Sequence, residues 1–118
     1  MEPYWARVTT DGPYPLRRGA WYPVNELAKD HVLLDVLWAP VNVPRAAVEI
    51  TAERPLRWTV VPRPRQAVRL PESWGPVYGT CPNCGHRASL QNAPPILGCQ
   101  QCEGLFPVAW DEKYLGRK

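Results

Sequence analysis

The four cysteines of this 118-residue chain fall as two C-x2-C pairs, Cys81 with Cys84 and Cys99 with Cys102, separated by fourteen residues. No other feature constrains the fold as strongly. Two cysteines on a tight turn can aim both sulfurs at one ion. Two such turns complete a tetrahedron with metal–sulfur distances of ~2.3 Å. The separation is one residue short of the usual zinc pattern of roughly 15–20 residues between pairs. Pro82 and the glycines at 85, 98 and 104 supply turn chemistry around the pairs. Between them, HRASLQ reads as a short strand, NAPP as a turn and ILG as the returning strand. LFPVAW then reads as a third strand.

Other uses of paired cysteines fit less well. Disulfides belong to oxidising compartments. A redox dithiol wants a helix N-terminus within a βαβ unit, and the segment after Cys84 looks like a strand. Iron in a rubredoxin-like site takes the same four ligands, so spacing does not separate it from zinc. One structural Zn²⁺ is the preferred reading. A catalytic zinc keeps an open position and usually a His or carboxylate ligand, whereas four cysteines close the shell. His86 reads as a strand residue beside the site, and His31 as a histidine at the surface or the start of a strand.

CPNCG at 81–85 and CQQCEG at 99–104 resemble the knuckles of the zinc-ribbon (zinc β-ribbon) family. The resemblance covers residues 76–112. It implies one structural zinc held by Cys81, Cys84, Cys99 and Cys102, and says little about function. The second knuckle departs from the pattern, because Glu103 stands between Cys102 and its glycine.

The rest of the chain points to short strands. Fifteen prolines spread along the sequence leave little room for long helices. YWARVTT, LRRGAWYPV, HVLLDVLW, APVNVP, AAVEI and RWTVV read as strands, and NELAKD as a loop or one helical turn. Strands at this spacing suggest a small barrel or sandwich. Leu16–Gly19 leading into Ala20–Val24, then Val32–Leu37, then Val43-Pro44 before Val48–Ile50, resemble the order of features in SH3-like barrels. That resemblance implies a binding module, without fixing its ligand. The expected organisation is mainly β: an SH3-like barrel over 1–62, a Pro/Arg connector over 63–73 and a zinc ribbon over 74–118.

Charge narrows the partners. The chain carries a net +3. Arg54 to Arg69 holds five arginines and no acid. In PRPRQ at 62–66, an extended proline-rich backbone would project its arginines into solvent, either as a basic arm for phosphates or as a stiff linker. Candidate residues for contacting nucleic acid or a protein partner are Arg57, Arg63, Arg65, Arg69 and Arg87, with Trp74 and Tyr78 as exposed aromatics. Trp5, Trp21, Tyr22, Trp38, Trp58 and Trp110 read mainly as core. Asp111-Glu112, followed by Lys113, reads as an exposed strand end. The sequence carries no Gly-rich phosphate loop, GxSxG or HExxH, no apolar run long enough to span a membrane and no signal-peptide pattern in MEPYWARVTT. The expectation is a cytoplasmic, non-enzymatic zinc-binding adaptor with no small-molecule substrate. Its partner would be a nucleic acid or a nucleoprotein machine of transcription or translation. The alternative is a protein–protein module whose zinc is purely structural.

Overall fold

The structure, a computed structural model, describes residues 3–10, 14–64, 70–112 and 114–116. Among the described residues it is mainly β, with short 3₁₀ segments at Arg45–Ala47 and Glu72–Trp74 and a third at Tyr114–Gly116 broken by Leu115 at φ 52°. The first five strands are β1 (Trp5–Val8), β2 (Tyr22–Leu27), β3 (His31–Val36), β4 (Ala39–Pro44) and β5 (Val48–Thr51). They form one sheet in the order β4-β3-β2-β1-β5, with every neighbour antiparallel. Alternation explains the inner face. Val32 and Leu34 point inward from β3 and meet Ala6 and Val43, with Tyr22, Val24, Val48 and Ile50 around them. NELAKD is not a helical turn, since Asn25 to Leu27 continue β2 past a bulge between Val24 and Glu26.

HVLLDVLW, expected as one strand, stops at Val36. Val36 pairs with Ala39, so Leu37 and Trp38 form a two-residue hairpin loop. Their φ values are 51° and 69°. Such loops favour Asn-Gly because both residues must adopt positive φ. Here they are bulky, and they are 91% and 94% exposed. The Trp38 amide donates to Asp35 Oδ1 at 3.0 Å, which fixes the turn.

The second unit contains β6 (Thr59–Pro62), β7 (Val77–Thr80) and β8 (Arg87–Ser89) in one antiparallel sheet, with β7 central. β9 (Ile96–Gly98) and β10 (Leu105–Pro107) make a separate antiparallel hairpin. Two expectations change. RWTVV, read as the last strand of the first unit, supplies β6 and pairs with β7. The strands either side of NAPP do not pair with each other; each joins the strand across its own cysteine turn. Trp58 ties the two pieces together. Its amide donates to Pro107 O, the Ala109 amide donates to Trp58 O, and its indole N–H donates to Leu97 O at 2.8 Å. Fully buried, it packs with Val60, Cys81, Leu90, Cys99 and Val108.

The two units are packed together. Gly19 has φ 82°, and a Cβ there would lie 2.7 Å from Val61 Cγ2 and 2.9 Å from Thr80 Oγ1. The 17–19 turn therefore sits directly on the second sheet. Thr80 Oγ1 donates to Arg18 O at 3.0 Å, and the Gly19 amide donates to the Tyr114 hydroxyl at 2.9 Å. That hydroxyl in turn donates to Val8 O.

Candidate metal centre

Each cysteine pair sits on a turn closed by the same two backbone bonds. In the first, the Cys81 amide donates to His86 O at 2.8 Å and the Gly85 amide to Cys81 O at 3.1 Å. In the second, the Cys99 amide donates to Gly104 O at 2.8 Å and the Glu103 amide to Cys99 O at 2.9 Å. The two knuckles are thus equivalent position by position. Gly85, at φ 77°, corresponds to Glu103, at φ 65°. Glu103 thus stands where the first knuckle has glycine, in a left-handed conformation that costs an ordinary L-residue roughly 1–2 kcal/mol. Glu103→Gly is expected to raise stability by about 1 kcal/mol, read as a higher denaturant midpoint of the metal-loaded protein. Gly85→Ala should lower it, because strain is joined by a Cβ 3.3 Å from the Ala20 methyl.

The turns bring the four sulfurs together. Cys81 Sγ lies 3.7 Å from Cys102 Sγ, and Cys84 Sγ 3.5 Å from Cys99 Sγ. All four lie within 4.8 Å of one another. A tetrahedron with ~2.3 Å metal–sulfur bonds has sulfur–sulfur edges of ~3.8 Å, so the set fits one ion. Backbone amides support it: Asn83 donates to Cys81 Sγ at 3.4 Å and Cys102 to Cys99 Sγ at 3.5 Å. Burial pushes the Cys84 thiol up to about 12 and raises Cys81. Hydrogen bonds from the Asn83 side chain and the Gly104 amide hold Cys102 down at about 6. Coordination to a cation converts buried thiols to thiolates. Asn83 is itself held by Arg54, whose Nη2 donates to Oδ1 at 2.7 Å. The grouped ligands are the four cysteines alone; His86 is not among them.

The other candidate residues do not converge. Tyr78, expected to be exposed, is 3% exposed and packs with Val61, Leu70 and Tyr114. Trp74 and Leu115 add to the cover, and the 17–19 turn lies on the neighbouring Val61 and Thr80. Trp74 is half-buried against the same cluster. Arg63 does not project outward. Its Nε donates to Gly75 O at 2.8 Å, Nη1 to Leu70 O at 3.4 Å and Nη2 to Pro71 O. Arg57 is exposed and ion-paired with Asp111. Arg87, on β8, is half-buried, and its side chain reaches the Tyr78 hydroxyl. Arg65 and Arg69 lie outside the described residues.

The sequence reading missed Arg7. This side chain is 3% exposed. Nη1 and Nη2 clasp Glu112 at 2.9 and 2.7 Å, Nη1 also donates to Thr59 Oγ1 at 2.9 Å, and Nε donates to Glu49 Oε1 at 3.0 Å. The guanidinium carbon lies 4.6 Å from the Trp21 ring centre and 4.5 Å from that of Tyr114. Burial opposes its charge, but the two carboxylates outweigh burial and raise its pKa. Glu112 is therefore a partner in a clasp between the two units and not a free strand end. The only signal in the sequence was an arginine between Ala6 and Val8, which reads as the solvent side of a strand.

Compared with protein-family models, curated proteins and solved structures, the chain matches none of them. The site's chemistry rests on its own geometry.

Proposed function

We propose that the chain is a non-enzymatic zinc-binding adaptor of the cytoplasm that contacts nucleic acid or a nucleoprotein machine. The observation that carries the metal half is the four-sulfur cluster with tetrahedral spacing. Four thiolates favour zinc among common divalent ions and leave no open position for substrate water. The same cluster supports a zinc-ribbon reading of the second unit. The antiparallel run β1 to β4, with β5 returning beside β1, supports an SH3-like reading of the first. Both architectures present binding surfaces, and no helix among the described residues is long and apolar enough to cross a membrane.

A second reading, a module that binds protein alone, is favoured by the exposed Leu37–Trp38 loop, since tryptophan is enriched where protein contacts are strongest.

Metal analysis of purified protein is expected to give about one zinc per chain. Chelation or acidification should release it and loosen the second unit, because protons compete for the four thiolates as pH falls. A metal-free, oxidised chain that keeps its fold would sink the zinc assignment. Affinity purification from the native host with nuclease separates the partners. A complex dispersed by nuclease supports nucleic acid, and one that survives supports a protein contact.

A further inference from the structure

The five-stranded sheet ends on β4 at one side and on β5 at the other. Ladder geometry decides what each edge offers. Along an antiparallel strand, residues alternate between bonding the neighbour and turning their backbone groups away from it. Just past β4, the Arg45 amide donates to Asp30 O at 3.0 Å, which puts Ala39, Val41 and Val43 in step to bond β3. Pro40, Asn42 and Pro44 therefore turn their backbone groups outward. Two of these three positions hold proline and have no N–H to give. Proline on an outer strand guards against pairing with another chain.

β5 carries no such guard. The Thr9 amide donates to Ala47 O at 2.9 Å, which puts Glu49 and Thr51 in step to bond β1. Val48 and Ile50 turn their backbone groups outward instead. The Val48 amide is taken by Arg45 O. The Val48 carbonyl and both backbone groups of Ile50 meet no partner among the described residues. The side chains of Val48 and Ile50 pack on the rim of the first core and are half-buried. The edge thus shows a short row of free backbone groups beside a half-covered apolar rim.

These groups complement themselves. Place a second β5 antiparallel to the first, with a two-fold axis at Ile50. Each Ile50 amide then meets the Ile50 carbonyl of the other copy. On the apolar face, Ile50 lies across from its counterpart and Val48 across from Ala52. On the opposite face, Glu49 stands across from Thr51, so no like charges meet. An axis at Glu49 would set two carboxylates directly opposite each other, which disfavours pairing, and would call on the Val48 amide that Arg45 already holds. Head-to-tail pairing of β5 with β4 of a next copy meets Pro40 and Pro44. We infer that β5 pairs with β5 of a second copy of this chain, joining the two five-stranded sheets into one whose outer strands are both β4. A two-fold contact closes on itself, and the prolines of β4 stop further growth. β5 is four residues long. The pair therefore falls short of the ~1,200 Å² that stable interfaces bury, and the dimer forms reversibly with concentration. The inference goes beyond the functional reading above and holds whichever partner the chain contacts.

The test is sedimentation equilibrium of the zinc-loaded full chain over a range of concentrations. The average mass should rise from that of one chain toward that of two and level off there. Hydrogen exchange read by NMR should slow at the Ile50 amide as concentration rises, and should not change at the outward Asn42 amide of β4. Thr51→Lys sets a cation across from Glu49 of the second copy, twice per dimer, and Thr51→Glu sets a carboxylate there. Both variants lose the bond from the Glu53 amide to Thr51 Oγ1, so the comparison between them isolates charge. The lysine variant should dimerise about fivefold more tightly than wild type and the glutamate variant about fivefold more weakly, as two cross-strand pairs allow. High salt should narrow that gap. Ile50→Pro removes an outward N–H and no ladder bond, and should stay monomeric; if it fails to fold, the two Thr51 variants decide alone. A mass fixed at one chain, equal dimerisation of the two Thr51 variants, or a dimer that leaves Ile50 exchange untouched overturns the inference. So does growth beyond two copies. An Ile50 amide protected only in a nuclease-resistant complex with another protein assigns the edge to that protein and overturns the dimer.

Discussion

Cys99→Ser is expected to abolish stoichiometric metal binding and unfold the second unit. Cys99 is 3% exposed and belongs to the cluster around Trp58. The substitution therefore removes a ligand and places a hydroxyl among apolar side chains. Structural zinc contributes about 10–16 kcal/mol of apparent binding free energy in small zinc modules, as large as the whole stability of a typical domain at about 5–15 kcal/mol. Loss of that term dominates any packing effect. Cys102→Ser, at a more exposed position, should lose metal equally while disturbing the Trp58 cluster less. Metal content, tryptophan fluorescence and the urea midpoint read this out together. A Cys99→Ser protein that keeps one tightly held metal and a wild-type midpoint would refute the four-ligand site.

Glu112→Ala is the second large effect. It leaves Arg7 buried with Glu49 and Thr59 as its polar side-chain partners among the described residues. Removing one member of a buried ion pair costs about 3–5 kcal/mol, chiefly by stranding the other charge. Glu49 still faces the guanidinium, so about 3 kcal/mol is expected here. Replacing both ends, Arg7→Met with Glu112→Leu, should recover most of the loss, since apolar substitutes of similar volume are often neutral at such sites. Arg57→Ala provides the contrast. It breaks an exposed pair with Asp111 and should cost no more than about 1 kcal/mol. Thermal or urea unfolding of the three variants tests the ordering. If Glu112→Ala and Arg57→Ala cost the same, the clasp is not a buried charge pair.

What the sequence reveals follows from how local each determinant is. The cysteine knuckles are local, with ligands, turn residues and backbone bonds falling within six positions, as from Cys81 to His86. Their residues can be read directly. The β3 alternation and the proline-limited strands are local too, so the mainly β character was legible. The pairing across NAPP was misread because VYGT, the true partner of HRAS, does not look like a strand with Gly79 inside it. The glycine is there because a Cβ would approach Leu90 to 3.0 Å and Trp58 to 3.1 Å, a fact of tertiary packing. Tyr78 was placed outside for a similar reason. Its cover includes Val61 and Tyr114, which reach it from other parts of the chain. Arg63 was read from composition as one tooth of a basic comb, but backbone carbonyls of residues 70, 71 and 75 draw it inward. Trp38 was read as core and is instead 94% exposed at a hairpin loop, which stayed hidden because DVLWAP lacks the asparagine and glycine that mark such turns.

The Arg7 clasp also bears on how the chain matures on the ribosome. Translation delivers Arg7 early and Glu112 after 105 further residues. Throughout that interval β1 carries a cation whose bidentate acceptor has not yet been made. Domains generally fold in the order in which they emerge, and in the meantime Glu49, on the neighbouring strand β5, is the carboxylate within reach of Arg7. The strand that carries Arg7 thus keeps one of its contacts open until residue 112 is made.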